Sequence, residues 1–136
     1  MSSEQVVRIP VRVGETIMDE IQEMYDEITR RAYEIFQRRG GNGTLDLEDW
    51  LTAEQQVLEK PNVRVDETSS RIVVRVYVTN PAVMDVQLLV TPHAMLVHGP
   101  IRNTSKKLFR VVQFPRKIDV TKAEAQYGEG CLVLTA

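Results

Sequence analysis

The chain has 136 residues, 43% of them apolar and 26% charged, which suits one ordinary domain with an appendage and is too apolar for wholesale disorder. Its formal net charge of −2 excludes the basic field that non-specific nucleic-acid binding requires. No apolar run approaches the ~20 residues of a membrane span. The N-terminus lacks a signal-peptide layout, and the single cysteine, Cys131, fits a reducing compartment. A cytoplasmic protein with no membrane or nucleic-acid partner is therefore expected.

Residues 6–13 alternate. Val7, Ile9, Val11 and Val13 share one face of an extended strand, with Arg8, Pro10 and Arg12 on the other. Pro10 cannot donate to a ladder, so the segment suits a sheet edge. Over residues 15–39 the period changes. Ile17, Ile21, Met24, Ile28, Ala32 and Ile35 recur at steps of three or four and draw an apolar stripe along a helix. Acidic residues crowd its first half and Arg30, Arg31, Arg38 and Arg39 its end, which complements the helix dipole. Gly40-Gly41-Asn42-Gly43 stops it.

A second helix is expected from an Asp46 cap to Pro61, with Glu48 and Asp49 in its first turn and Leu47, Trp50, Leu51, Val57 and Leu58 on its apolar face. The two helices make an αα-hairpin that buries Trp50 between them. Its core is assigned to Ile28, Phe36, Trp50 and Leu51.

From residue 62 the period falls to two. Strands are expected at Val63–Val65, Ile72–Val78, Val86–Val90, Met95–His98, Leu108–Phe114, Lys122–Tyr127 and Cys131–Thr135, with breaks at Asn80-Pro81, Gly99-Pro100, Pro115 and Gly128-Glu129-Gly130. No crossover helix separates them, so they form an antiparallel sandwich and not a parallel α/β sheet. Leu89 breaks the alternation, marking either a contact surface or a strand buried on both sides. The division is thus an extended segment at 1–14, a helical hairpin at 15–60 and a sandwich at 61–136. Charge divides similarly: residues 1–60 hold 13 acidic and 7 basic side chains, residues 61–136 hold 6 and 10. Opposite signs either favour contact between the parts or decorate two solvated surfaces.

No catalytic constellation emerges. His93 and His98 are the only histidines and do not cluster with Cys131 at metal-ligand spacing. The glycine run follows a helix, not a strand, and lacks a P-loop lysine. The carboxylates of the first helix form a solvated face, and Cys131 is a small apolar strand residue. No enzyme, metal or cofactor is expected, and the weight moves to binding.

The strand region resembles the α-crystallin domain of small heat-shock proteins. The carrying pieces come in order: Ile72–Val78, Asp85–Val90, Leu96-Val97-His98-Gly99, Leu108–Phe114 before Pro115 and Ile118-Asp119, and Ala125-Gln126-Tyr127-Gly128-Glu129-Gly130-Cys131-Leu132, similar to the family's A-x-x-x-(n)-G-x-L signature. Arg30–Phe36 and Leu45–Glu54 resemble a short bacterial helical module of unknown activity found before such domains. The resemblance implies an all-β, immunoglobulin-like sandwich preceded by an αα-hairpin. It also implies an ATP-independent holdase whose partners are partly unfolded client proteins and further copies of itself, in a homodimer or small homo-oligomer. The alternative is a non-chaperone interaction adaptor on the same sandwich.

In that family an I-x-I/V motif, usually from a C-terminal tail, docks in a groove at the sandwich edge. The resemblance puts the groove on Val86, Leu88 and Val90, and a basic residue of the dimer strand on Arg110. Here the chain stops at Ala136, and the Pro100–Lys107 link is short for the swapped-strand dimer of bacterial relatives. That leaves pairing along the Leu108–Phe114 edge as the alternative. The strand opposite the groove puts polar Lys122, Glu124 and Gln126 on one face. Ile9-Pro10-Val11 is itself an I-x-V motif in an extended segment, so Ile9 and Val11 are expected either to dock near Val86, Leu88 and Val90, in the same chain or a neighbour's, or to belong to a disordered terminus.

Overall fold

The computed structural model describes residues 7–41, 47–78, 86–101 and 104–136. The expected Asp46 cap and the Asn80-Pro81 break lie outside them. In chain order the elements are β1 (Val7–Ile9), β2 (Val11–Val13), α1 (Met18–Arg38), α2 (Leu47–Val57), β3 (Leu58–Glu59), β4 (Asn62–Glu67), β5 (Ile72–Tyr77), β6 (Gln87–Val90), β7 (Ala94–Pro100), β8 (Lys107–Gln113), β9 (Glu124–Gly128) and β10 (Cys131–Thr135). Among the described residues the strands make a sandwich of two five-stranded sheets, and the two-helix hairpin lies in the chain between β2 and β3. Sheet A runs β1-β9-β10-β5-β4 and sheet B runs β2-β6-β7-β8-β3.

Alternation builds the core. Ile72, Val74 and Val76 of β5 and Leu132 and Leu134 of β10 turn inward from sheet A; Leu88 and Val90 of β6, Met95 and Val97 of β7 and Leu108 and Val112 of β8 answer from sheet B. The Tyr127 hydroxyl donates to the Val78 carbonyl at 2.9 Å, which satisfies the polar tip of a half-buried ring. The sandwich pairs are antiparallel. The two parallel pairs, β2 with β6 and β3 with β8, are both contributed by the N-terminal part of the chain.

Helix α1 begins where the Thr16 hydroxyl accepts from the Met18 N–H at 3.0 Å, and it ends as its stripe predicts. Gly40 and Gly41 take positive φ, and the Gly41 N–H bonds back to the Phe36 carbonyl at 3.0 Å. The stripe buries Met24, Ile28 and Ala32 against Ala53 and Val57 of α2 and Leu58 of β3.

Helix α2 presents a different face from the one its apolar spacing suggested. Asp49, Ala53 and Val57, at steps of four, point inward, whereas Leu47 and Leu51 are exposed and Trp50 is half-buried. The expected hairpin core is corrected accordingly: Ile28 belongs to it, Trp50 packs at its margin, Leu51 is exposed, and Phe36 is half-buried outside the cluster. Two causes are visible. The small Ala32 and Ala53 are both fully buried, which lets the helices approach closely. Arg39 also draws Asp49 inward with Nε–Oδ1 and Nη2–Oδ2 hydrogen bonds of 3.1 and 2.7 Å. Leu58 has left the helix and starts β3.

The hairpin covers the outer face of sheet B. Ile17, ahead of α1, packs on Leu89 and Leu96 in a buried cluster joined by Ile21, Ala94, Phe109 and Val111. This accounts for Leu89, which is 5% exposed: its strand is buried on one side by the other sheet and on the other by the helices.

Candidate functional site at the sandwich edge

The N-terminal segment is placed on a sheet edge, but it does not run as one strand. β1 adds antiparallel to β9 of sheet A, with Ile9 opposite Ala125, and β2 adds parallel to β6 of sheet B, with Val11 opposite Leu88 and Val13 opposite Val90. Pro10 separates them. Its fixed φ and missing N–H make it a natural break, and the chain steps there from one sheet to the other. Two Cα steps reach only about 7 Å, so the crossing occurs where the sheet edges converge. The Gly14 N–H continues the ladder to the Val90 carbonyl at 3.0 Å. A Cβ on Gly14 would meet Leu89 Cδ1 at 3.2 Å, so the chain passes close over that side chain before α1.

A continuous strand would align Ile9, Val11 and Val13. Instead Ile9 and Val11 are half-buried against the sandwich core, while Val13 is 57% exposed. Of the groove residues, Leu88 and Val90 are fully buried and Val86 is half-buried against the same core. The opposite wall also differs from expectation. Glu124 and Gln126 of β9 face solvent and Lys122 lies in a short 3₁₀ turn before it, whereas buried Ala125 and half-buried Tyr127 face inward. The inward residues are the odd-numbered ones, so the edge site is apolar on both walls.

Arg110 is half-buried on β8, opposite Val97. β3 pairs with only the first two residues of β8, Lys107 and Leu108. Among the described residues, Phe109–Gln113 has no further strand on that side. His93 is exposed in a turn beside Val13 and Gly14, and Cys131 is half-buried in β10 opposite Gly128 of β9. His98 is half-buried in β7 on the outer face of sheet B, beside Glu20, Glu23 and Glu27 of α1 and Lys107 of β8. Burial holds its pKa below the ordinary histidine value; Glu20 opposes that shift and Arg12 adds to it. Among the described residues no group of three or more His, Cys, Asp or Glu is placed to hold a metal ion, and no helix is long and apolar enough to cross a membrane.

Comparison with solved structures follows this architecture. In fold, the chain is similar to a small heat-shock protein. Heat shock protein 16.0 from Schizosaccharomyces pombe superposes with a TM-score of 0.51 at 22% identity. The match covers 57% of this chain and 65% of that one, so the chain spans just under two thirds of that protein's length. Residues 23–59 match a family described as a protein of unknown function, DUF2934; they include most of α1, α2 and β3. No curated protein matches the chain in sequence.

Proposed function

We propose that this chain is an ATP-independent holdase of the small heat-shock type, which binds partly unfolded proteins at its sandwich edge and holds that edge covered at rest with residues 7–13. The observation that carries the reading is the strap itself: one short segment, broken by a proline, caps both sheets on the same side and rests Ile9 and Val11 against the core beside Val86, Leu88 and Val90. An uncovered apolar edge invites strand addition. A client strand that competes for the place of β2 gains the same main-chain bonds the strap gives up.

The strap is suited to exchange. Full burial of a branched side chain contributes about 1.5–3 kcal/mol, and Ile9 and Val11 are only half-buried. Against that stands roughly 1–2 kcal/mol of backbone entropy for each residue ordered. The fold likeness to a heat-shock protein supports the same reading. The three-part division at residues 14 and 60 follows from it: strap, helical cover and sandwich. A homodimer paired along Phe109–Gln113 would place Arg110 in its interface.

Light scattering from a heat-unfolding model protein without ATP tests the holdase. The whole chain is expected to suppress aggregation near a one-to-one ratio, and an Ile9→Ser/Val11→Ser variant, with the latch weakened, at a lower ratio. Failure of both, with the chain folded throughout, would replace the holdase by an interaction adaptor with a single dedicated partner.

A further inference from the structure

A second site lies on the other side of the molecule, where the hairpin meets the β8 edge of sheet B. Here α1, α2 and the β3 region enclose a half-open cleft of about 430 Å³ against residues 109–111. The volume falls in the range of small-molecule sites. Its walls are apolar, with Met24, Ile28, Leu58 and Phe109 prominent, and the Trp50 indole joins them.

Its polar groups are unevenly matched. Lys60 and Arg110 line the cleft together with one carboxylate, Glu54. Lys60 pairs with Glu54 at 3.3 Å. The Arg110 guanidinium has neither a hydrogen bond nor an ion pair among the described residues. One apolar cleft is thus bordered by one cation in excess, with its only carboxylate already engaged. A ligand bearing an anionic acceptor on an apolar body supplies the partner that Arg110 lacks.

We propose that this cleft binds a small anionic amphiphile, an alkyl or aryl carboxylate, with its hydrocarbon against the helices and its carboxylate near Arg110 and Lys60. A cationic amphiphile meets the wrong charge, and a neutral one leaves Arg110 unpaired. The site is separate from the strap and does not depend on holdase activity, but it takes Arg110 from the β8 edge along which a homodimer would pair, so ligand and partner compete for that residue.

Trp50 is the only tryptophan, so its emission reports on the cleft directly. The full chain is titrated with decanoate, decanol and decylamine, each below its aggregation threshold. Decanoate is expected to give a saturable change in emission, with a Kd at least tenfold below those of the other two. Arg110→Gln should weaken decanoate at least fivefold and leave decanol unchanged; Lys60→Gln repeats the test should the first variant fold poorly by circular dichroism. Equal affinity for the three headgroups would overturn the proposal. So would a linear, unsaturable response that the variants do not alter, which is the signature of detergent-like adsorption.

Discussion

Asp49 shows how a single side chain can carry a meaning its local sequence does not reveal. In sequence it is one of two acidic residues in a helix's first turn, where it complements the dipole. In the fold it is 6% exposed and takes two hydrogen bonds from Arg39, joining the end of α1 to the start of α2 across the glycine turn. The Arg39 guanidinium also lies 5.0 Å above the Phe36 ring. Asp49→Ala is expected to cost about 1–3 kcal/mol, because it removes the buried carboxylate of a charge-assisted pair; the shift of a urea unfolding midpoint measures it. His98 carries a pH prediction. Its folded pKa lies below the unfolded value of 6.5, chiefly through burial. The folded state therefore prefers the neutral ring. That contribution is fully present above pH 6.5 and is lost as the pH falls from 6.5 through the lower folded pKa. The unfolding midpoint should drop between pH 7 and pH 5, and His98→Gln should drop less. An unaltered slope in that variant would show that His98 does not carry the effect.

Among the elements, the strap departs furthest from its sequence pattern. Four apolar residues at period two describe one strand with one face, and the chain instead makes two three-residue strands on two different sheets. The proline was legible as an edge signal; its use as a crossing between sheets was not, because nothing local states that two edges converge nearby. A strap held by two half-buried anchors should open more readily than the strands beneath it. Hydrogen exchange is expected to show faster exchange of the Gly14 amide than of β5 or β10 amides. Ile9→Ser/Val11→Ser should speed it further while β5 and β10 stay protected. Uniform protection across all of these would mean that the strap opens only with the whole domain. Helix α2 teaches a related lesson. Its larger apolar residues lie on one stripe and its small Ala53 on another, and close approach to Ala32 favoured the small stripe.

For the whole molecule, the helices and the sandwich share a core and are not beads on a string. Ile17, Leu89 and Leu96 form a buried cluster that fastens the hairpin to sheet B, and Phe109 packs against both this cluster and the hairpin's own. One cooperative transition is expected, reported alike by far-ultraviolet circular dichroism and by Trp50 emission. Leu96→Ala removes a fully buried side chain between the layers and should cost about 2–5 kcal/mol, moving both signals together. Two separated transitions would show that the hairpin folds on its own. The charge asymmetry finds a limited use in this docking: Lys107 of β8 meets Glu27 of α1 at 3.1 Å. Both side chains are substantially exposed, so the pair contributes little stability and mainly matches the two surfaces.

The sequence alone determined the sandwich strands from residue 62 onward, the first helix and the class. Period two gave the sandwich strands, the three-four stripe gave α1, and glycine gave its end, because alternation and helical spacing are local properties written in consecutive residues. It also pointed to Ile9, Val11, Val86, Leu88 and Val90 as the place to look. The tertiary structure decided which edges the strap joins, which face of α2 turns inward, where Leu89 is covered, and that Trp50, Lys60 and Arg110 border one cleft. Each of these depends on residues far apart in the chain meeting across a packed interface, and such meetings are set by the competition of whole surfaces for burial, which no local pattern records.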